Sequence, residues 1–183
     1  MRPRRLAICV LACSLAALLV AGCDSGRPEG VAREGLYEDV AGLDYNVFIT
    51  RELNLRDAED RDYYRGPEAP PGSALYGVFI QVCNNGEGMK FPDVEFAIED
   101  NQGNEFHPLP LPRRNVFAYR ARRLATDSCI PEPGSAAASG PTAGSLLLFK
   151  LTLSSLENRP LELVIEAPPG SEKPTRKVIQ LDI

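Results

Sequence analysis

The chain has 183 residues, with 25 acidic and 20 basic side chains, one histidine, two methionines and no tryptophan. A single histidine argues against type-one copper sites and typical zinc sites, and so few methionines argue against a methionine-rich copper carrier. The net charge of −5 makes the chain a poor candidate for nucleic-acid binding.

The N-terminus has the order of a secretory signal. Three arginines among the first five residues precede an uncharged apolar run, residues 6–20, which small residues follow. This order predicts a leader helix, residues 1–22, that is removed on export. The alternative is an uncleaved membrane helix, although residues 6–22 only reach the lower length limit for spanning a bilayer. Setting the leader aside leaves 17 basic against 25 acidic residues, a net charge of about −8.

Residues 20–23, with the sequence Val-Ala-Gly-Cys, resemble the lipobox of bacterial lipoproteins. The resemblance implies cleavage before Cys23 and attachment of diacylglycerol to its sulfur, with acyl chains such as palmitate holding the protein to the membrane. Two chains suffice for stable anchoring, whereas one chain binds only marginally. The expected location is therefore the outer face of the bacterial cytoplasmic membrane.

The cysteine count agrees with export. Cys9 and Cys13 leave with the leader and Cys23 carries the lipid, so Cys83 and Cys129 remain as a pair. In an oxidising compartment such a pair favours a disulfide bond. Two free buried thiols are the alternative, and the sequence leaves open whether a bond would join two sheets or tie a loop to one.

The mature chain is predicted to divide into a tether and one domain. Residues 23–42 are polar and weakly patterned, which predicts a lipidated, flexible tether. Residues 43–183 have the size of one domain with its own core. Two stretches interrupt that domain: residues 54–71 have room for one short helix before a Gly/Pro loop, and residues 132–144 are a Gly/Ala/Ser/Pro loop.

Strand patterns dominate residues 43–183. In residues 75–83, apolar side chains alternate along one face of a predicted strand, and Leu75, Phe79 and Cys83 make the other face apolar as well. Apolar residues on both faces are typical of a central strand. Residues 115–124 fit a strand or a helix. Seven or eight strands separated by turn signals, with little helix, predict an all-β, antiparallel β-sandwich. The clear strand patterns lie at residues 44–52, 75–83, 94–98, 106, 145–153, 161–166 and 178–183.

Residues 45–183 also resemble the immunoglobulin-like domain of uncharacterised secreted bacterial lipoproteins. Four features carry the resemblance: the tethering Cys23, a strand at residues 75–84 that ends in Asn and a turn, an Asp-to-Gly turn at residues 100–103, and a Gly-x-Leu-x-x-Phe strand at residues 144–149. The resemblance implies an immunoglobulin-like fold and an extracytoplasmic location. It implies no activity and no functional residues.

Five arginines within 11 residues of an otherwise acidic chain form the strongest candidate binding feature. Such a cluster is suited to docking a carboxylate, a phosphate-bearing wall polymer or an acidic protein. The alternative is a solvated hairpin whose arginines pair with nearby acids. We expect the contact surface to combine this segment with residues 54–71. The five are Arg113, Arg114, Arg120, Arg122 and Arg123.

Three other patterns could each indicate a functional site but have a simpler structural interpretation. The acidic residues within 57–62 lack the spacing of a calcium loop and alternate with arginines, which favours a self-paired loop. His107 has no Gly-x-Ser-x-Gly partner motif, so it is expected to be an ordinary strand-edge residue rather than a catalytic base. Tyr63 and Tyr64 are expected to pack the 54–71 loop onto its sheet rather than form a glycan platform.

These features predict an envelope-anchored, non-catalytic binding module with no metal and no cofactor. Its expected partners are the membrane, through Cys23, and an acidic protein or anionic wall polymer, with no nucleic acid. The alternative is an accessory subunit of an envelope complex that pairs through a sheet edge. A weaker alternative is an enzyme whose site is not recognisable from sequence.

Overall fold

A computed structural model describes residues 31–169 and 176–183, and no helix among these residues is long and apolar enough to cross a membrane. The leader and Cys23 lie outside the described residues. Within them are two short α-helices, α1 (Ala58–Tyr63) and α2 (Ala136–Ser139), and one 3-10 helix (Ser155–Glu157). The strands are β1 (Val31–Arg33), β2 (Tyr37–Val40), β3 (Leu43–Glu52), β4 (Ser73–Asn84), β5 (Glu95–Glu99), β6 (Glu105–Phe106), β7 (Ser128–Ile130), β8 (Ser145–Thr152), β9 (Glu162–Glu166) and β10 (Arg176–Gln180).

The strands form two facing sheets, which confirms the predicted β-sandwich. The β4 sheet has the order β2-β3-β4-β7, and β8 also pairs with β4. The β9 sheet has the order β1-β10-β9-β5-β6. Strands β7 and β8 lie end to end along the same edge of β4. All pairings are antiparallel except that of β1 with β10, which is parallel.

The strand β4 is buried on both faces, as its sequence predicts. One face supplies Val78 and Ile80, which pack between the two sheets against residues of the β9 sheet such as Leu163. The opposite face supplies Leu75 and Phe79 to a second apolar cluster on the outside of the β4 sheet. We call this second group of residues the outer cluster: Leu53, Leu55, Tyr63, Leu75, Phe79, Leu146 and Leu148.

The N-terminal boundary differs from the sequence prediction. The predicted tether reached residue 42, but residues 31–33 and 37–40 form β1 and β2, one in each sheet. Val40 is completely buried in the main core. Strands of three and four residues are too short to give a periodic pattern, and their stability comes from pairing with distant strands. The chain is therefore part of the fold from residue 31 onward.

Two other segments differ from their sequence patterns. Residues 115–124, which fit a strand or a helix, form neither and contribute only isolated bridges at Ala118 and Leu124. The loop at residues 132–144 contains α2, whose N-cap is Ser135. The short strands β1, β2 and β7, each of four residues or fewer, explain why the described residues contain ten strands instead of seven or eight.

Cys83 and Cys129 form the predicted disulfide bond. They lie directly opposite each other on β4 and β7, so the bond connects neighbouring strands of one sheet and does not join the two sheets. Strand β7 has only three ladder positions. The bond thus fixes a short strand to the central strand of the fold.

We expect replacement of both cysteines by alanine to lower the free energy of unfolding by about 4 kcal/mol, the chain-entropy value for a closed loop of 46 residues. Urea unfolding of the wild type with and without reductant, beside the double variant, measures this loss. The reduced wild type should match the variant, and the variant should not respond to reductant. Equal urea midpoints for the oxidised and reduced wild type would contradict a stabilising bond.

Asp100 organises the turn between β5 and β6. Its carboxylate accepts hydrogen bonds from the backbone N–H groups of Gln102 and Asn104, at 3.0 and 2.9 Å, and from the side chains of Asn104 and Asn158. Burial by itself raises the pKa of Asp100, but hydrogen bonds from Asn104, Asn158 and Ser155 outweigh it and hold that pKa well below its ordinary value of 3.8.

A lowered folded-state pKa means that the Asp100 carboxylate contributes stability above pH 3.8 and loses that contribution as the pH falls towards the folded value. We expect Asp100→Asn to melt at a lower temperature than the wild type at neutral pH. The difference between the two melting temperatures should shrink below pH 3.8, where the carboxyl of the unfolded wild type is protonated. Thermal melts across this range test the expectation, and a constant difference would contradict it.

Candidate functional site

The outer cluster is covered by two segments that are distant in sequence. Tyr63, at the end of α1, is completely enclosed: its ring meets Phe79 of β4 at 5.0 Å and Phe117 at 4.7 Å between centroids. Its hydroxyl accepts a hydrogen bond from the N–H of Thr142 at 2.8 Å. Tyr63 therefore packs its loop onto the sheet, as the sequence predicts. This packing fixes α1 and residues 109–117 beside each other on the outside of the β4 sheet.

Helix α1 is held on the sheet by a largely buried ion pair. The Asp60 carboxylate lies 2.6 Å from Nη1 of Arg51 on β3 and also accepts a hydrogen bond from the N–H of Asn54. The Arg51 guanidinium in turn lies over the rings of Tyr63 and Phe79, at 5.6 and 5.7 Å from their centroids. Arg51 thus contacts both the buried Asp60 carboxylate and the aromatic rings of Tyr63 and Phe79, and so connects helix α1 to the sheet.

The remaining carboxylates of the acidic segment are also engaged locally. Asp57 caps the first turn of α1 through the N–H of Glu59. Glu59 pairs with Arg51, and Asp62 pairs with Arg65 at 2.7 Å. No group of metal-ligating side chains occurs among residues 31–169 and 176–183. The segment is a self-paired loop, as its sequence pattern favours.

We expect Asp60→Ala to lower the free energy of unfolding by about 2 to 3 kcal/mol, because it leaves the Asn54 N–H without its acceptor and leaves Arg51 with only the more exposed Glu59 as its ionic partner. Asp62→Ala is the matched control, since it removes an exposed ion pair from the same helix and should change stability by less than about 1 kcal/mol. Urea unfolding of both variants measures the difference. Similar losses in the two variants would mean that the buried pair does not stabilise the cover.

The second covering segment, residues 109–119, forms hydrogen bonds with the edge of β8 that does not pair with β4. The N–H of Leu109 donates to the carbonyl of Leu148, and Leu146 exchanges hydrogen bonds with Phe117 and Tyr119. The side chain of Asn115 donates to the carbonyl of Tyr63 at 2.7 Å and so ties this segment to α1. The edge of the long strand β8 is therefore occupied by the chain itself.

The five arginines of the predicted cluster differ in their roles. Arg120 donates to the carbonyls of Leu111 and Pro112 at 2.9 and 2.8 Å, and Arg122 donates to the carbonyl of Cys129 at 2.8 Å. These two guanidinium groups close loops of their own chain. Within the described residues, Arg113, Arg114 and Arg123 are exposed and form no ion pair or hydrogen bond.

The structure also divides the cluster in space. Arg114 lines a cleft beside α1, whereas Arg123 precedes Leu124, which pairs with Lys90 in an isolated antiparallel bridge. This second position is flanked by the exposed side chains of Met89 and Phe91. The two ends of the five-arginine segment therefore lie beside different elements, Arg114 at the cleft and Arg123 next to the bridge between Leu124 and Lys90.

The cleft has a volume of about 590 Å³ and lies between α1 and the 109–117 segment. It lies between the two regions, residues 54–71 and 113–123, whose side chains are expected from the sequence to form one contact surface. The second segment supplies most of its apolar side chains, and charged side chains come from both segments. The lining residues are Asp62, Tyr64, Arg65 and Gly66 from the first segment, and Pro110, Pro112, Arg114, Asn115, Val116 and Phe117 from the second.

Among the described residues that line the cleft, one charged side chain has no partner in the described part of the chain. Arg65 is neutralised by Asp62, and Asn115 is occupied by Tyr63 and by the N–H of Phe117. Arg114 has no such partner within the described part of the chain. The chemistry on offer is a free guanidinium above an apolar and aromatic wall. The arginine pattern in the sequence predicts a role for Arg114. The apolar walls of the cleft could not be predicted, because no local pattern indicates that Pro110 or Val116 lies near Tyr64.

His107 plays no part in this cleft. It is exposed at the end of β6, with its Nε2 3.4 Å from a carboxylate oxygen of Glu105. No other polar group of the described residues forms a hydrogen bond or ion pair with the His107 side chain. This surface position is the strand-edge environment that the sequence predicts.

No protein-family model matches the chain, and no curated protein is similar to it in sequence. Three solved structures have related backbones. A candidate lipoprotein from Bacillus subtilis subsp. subtilis str. 168 is 9% identical with a TM-score of 0.48, and the match covers 80% of this chain and 38% of that one. This chain therefore spans well under half the length of that protein.

The other two structures are similar over nearly their whole length. The yjhA protein from Bacillus subtilis is 10% identical with a TM-score of 0.45, and the match covers 82% of this chain and 99% of that one. A β-sandwich protein from Clostridium difficile 630 is 6% identical with a TM-score of 0.48, and the match covers 86% of this chain and 97% of that one. None of these similarities assigns a site or a function to this chain.

Proposed function

We propose that the protein is a lipid-anchored, extracytoplasmic binding module with an immunoglobulin-like sandwich, whose cleft receives an acidic segment of a partner protein. The leader pattern and the residues around Cys23 support export and lipidation. The bond between Cys83 and Cys129 is of the kind that persists in an oxidising compartment. Both observations favour a location on the outer face of the cytoplasmic membrane.

The observation that carries the binding proposal is the unpaired Arg114 beside an apolar wall. A guanidinium with free donors favours a carboxylate or phosphate. The wall formed by Tyr64, Pro110, Val116 and Phe117 favours an occupant that also carries apolar groups. A polypeptide with acidic and apolar side chains meets both requirements, whereas a highly charged wall polymer meets only the first.

The composition of the cleft favours binding without catalysis. The side chains that line it in the described part of the chain include no His, Cys, Ser or Thr, so no nucleophile stands beside a histidine base. Its acid, Asp62, is already paired with Arg65. The carboxamide of Asn115 is committed to holding the loop. These groups are suited to recognition rather than to bond cleavage.

Pairing through a sheet edge is the weaker alternative. Apart from β8 and residues 47–52 of β3, which β2 does not pair with, the edge strands of the two described sheets are two to four residues long: β1, β2, β6 and β7. Short edge strands are one of the ways in which proteins discourage strand addition. The long edge of β8 is covered by residues 109–119. This arrangement supports recognition by loops over recognition by an added strand.

The proposal is tested by cross-linking in the native envelope. A photoreactive phenylalanine analogue at Val116, which is 65% exposed in the cleft, should cross-link the full-length protein to a discrete partner protein. Adding Arg114→Glu should reduce the yield about tenfold or more, because it replaces the attracting charge by a repelling one.

Two matched variants control this experiment. The analogue at Leu153, which is 50% exposed and does not line the cleft, should give no partner band. Arg123→Glu changes the net charge by the same amount at the other end of the arginine segment and should leave the yield unchanged. A yield that is insensitive to Arg114→Glu, equal losses from both charge reversals, or cross-linking to a polymer alone would overturn the proposed partner.

A further inference from the structure

Four exposed apolar side chains lie around the start of the folded domain. Their exposed fractions are 37% to 53%, which is unusual for large apolar residues close together in a small domain. They come from the start of β2 and from the middle of β3. We call this group the N-terminal patch: Leu36, Tyr37, Phe48 and Ile49.

Backbone hydrogen bonds bring the two halves of the patch together. The N–H of Gly35 donates to the carbonyl of Val47 at 2.7 Å, which fixes the turn before β2 against β3. The pairing of β3 with β4 shifts between Val47 and Ile49, so Phe48 is an extra residue without a partner on β4. Such a bulge re-aims side chains, and here it leaves Phe48 exposed beside the turn. The patch is thus built by the fold.

Charged groups near the patch are satisfied within the domain. Glu34 accepts hydrogen bonds from the N–H groups of Thr50 and Asp182, at 3.1 and 3.3 Å. Glu38 pairs with Lys177 at 2.9 Å. The charge of Glu38 is therefore neutralised by Lys177, whereas Glu34 keeps its negative charge and is bonded to backbone groups beside the patch.

The patch also lies close to the predicted anchor. Cys23 precedes the first described residue, Val31, by eight positions, and a fully extended chain of that length spans roughly 29 Å at most. The N–H of Leu36 donates to the carbonyl of Arg33, so the chain turns within a few residues of Val31. A lipid on Cys23 would thus hold Val31, and with it the turn that leads into the patch, within roughly 29 Å of the membrane.

We propose that the N-terminal patch rests on the lipid bilayer and orients the anchored domain on the membrane surface. This inference depends on the lipid anchor of the proposed function. An apolar surface with an aromatic hydroxyl, here Tyr37, is suited to the membrane–water interface. Because the anchor makes the contact intramolecular, even a weak contact becomes well populated. Four residues fall far short of the roughly 20 residues a side of a stable protein interface, which disfavours a second copy as the occupant.

The absence of tryptophan from the chain allows a clean test. The full-length lipidated protein with Phe48→Trp is reconstituted into phosphatidylethanolamine–phosphatidylglycerol vesicles, with or without bromine on the acyl chains. Bromine quenches tryptophan on contact, so most of the emission should be lost in the brominated vesicles. The matched control, Val116→Trp, introduces an exposed tryptophan in the cleft and should keep its emission.

A second pair of variants tests whether quenching depends on the N-terminal patch itself or on any exposed apolar side chain. Added to Phe48→Trp, Leu36→Glu should abolish the quenching, whereas Met89→Glu, at a more exposed apolar residue outside the patch, should not. Circular dichroism of each variant verifies that the sandwich is intact.

The outcomes distinguish this contact from the anchor on which it rests. Protein that fails to float with the vesicles would overturn the lipid anchor and the contact with it. Flotation without quenching of Phe48→Trp would overturn the contact alone. Blue-shifted emission of Phe48→Trp without bromine quenching would place a second copy of this chain at the patch and overturn the membrane contact. Equal quenching of Val116→Trp would mean that the domain has no preferred orientation.

Discussion

The burial of β4 on both faces is the constraint on which the rest of the structure depends. Its inner face, with Val78 and Ile80, is covered by the β9 sheet in the ordinary way of a sandwich. Its outer face carries Leu75 and Phe79, which must also be removed from water, and the described residues form no third sheet to cover them. The polar insertion after β3 and the proline-rich segment before β7 supply that cover. The walls of the cleft are therefore held by core packing and are not free loops.

The same requirement decides which charges are available for a partner. Covering an apolar face with loops leaves backbone carbonyls and polar side chains that need hydrogen-bond partners. Arg51 with Asp60, and Arg120 with the carbonyls of Leu111 and Pro112, meet that need. Their guanidinium groups are structural even though Arg120 is exposed. Arg114 lies on the same cover without such a task, which is why the binding proposal centres on it.

The two proposed surfaces arise where the regular strand pattern is interrupted. The cleft forms where loops replace a sheet as the cover of β4, and the N-terminal patch forms where a bulge adds Phe48 to β3. Interruptions of this kind expose side chains that regular pairing would bury. In an anchored protein the two surfaces would have different tasks, with one setting the orientation at the membrane and the other meeting a partner.

The sequence by itself determined the features that depend on neighbouring residues. Alternation along β3, β4 and β8, the turn residues around Gly103, and the pairing of the two cysteines that lie outside the predicted leader and lipobox are local or arithmetical signals. The double-faced apolar pattern of β4 even indicated its central position. The leader pattern and the residues around Cys23 are equally local, and they remain predictions.

Only the tertiary structure decided where the domain begins and how the arginines divide. Strand β1 pairs with β10 across nearly the whole chain, and three residues carry no periodicity that could reveal such a partner. Whether a guanidinium is free or bonded to a carbonyl depends on the path of the backbone around it. Arg114 and Arg120 are alike as residues, and the packing of residues 109–119 against β8 separates their roles. That packing follows from long-range contacts, which the order of residues along the chain does not specify.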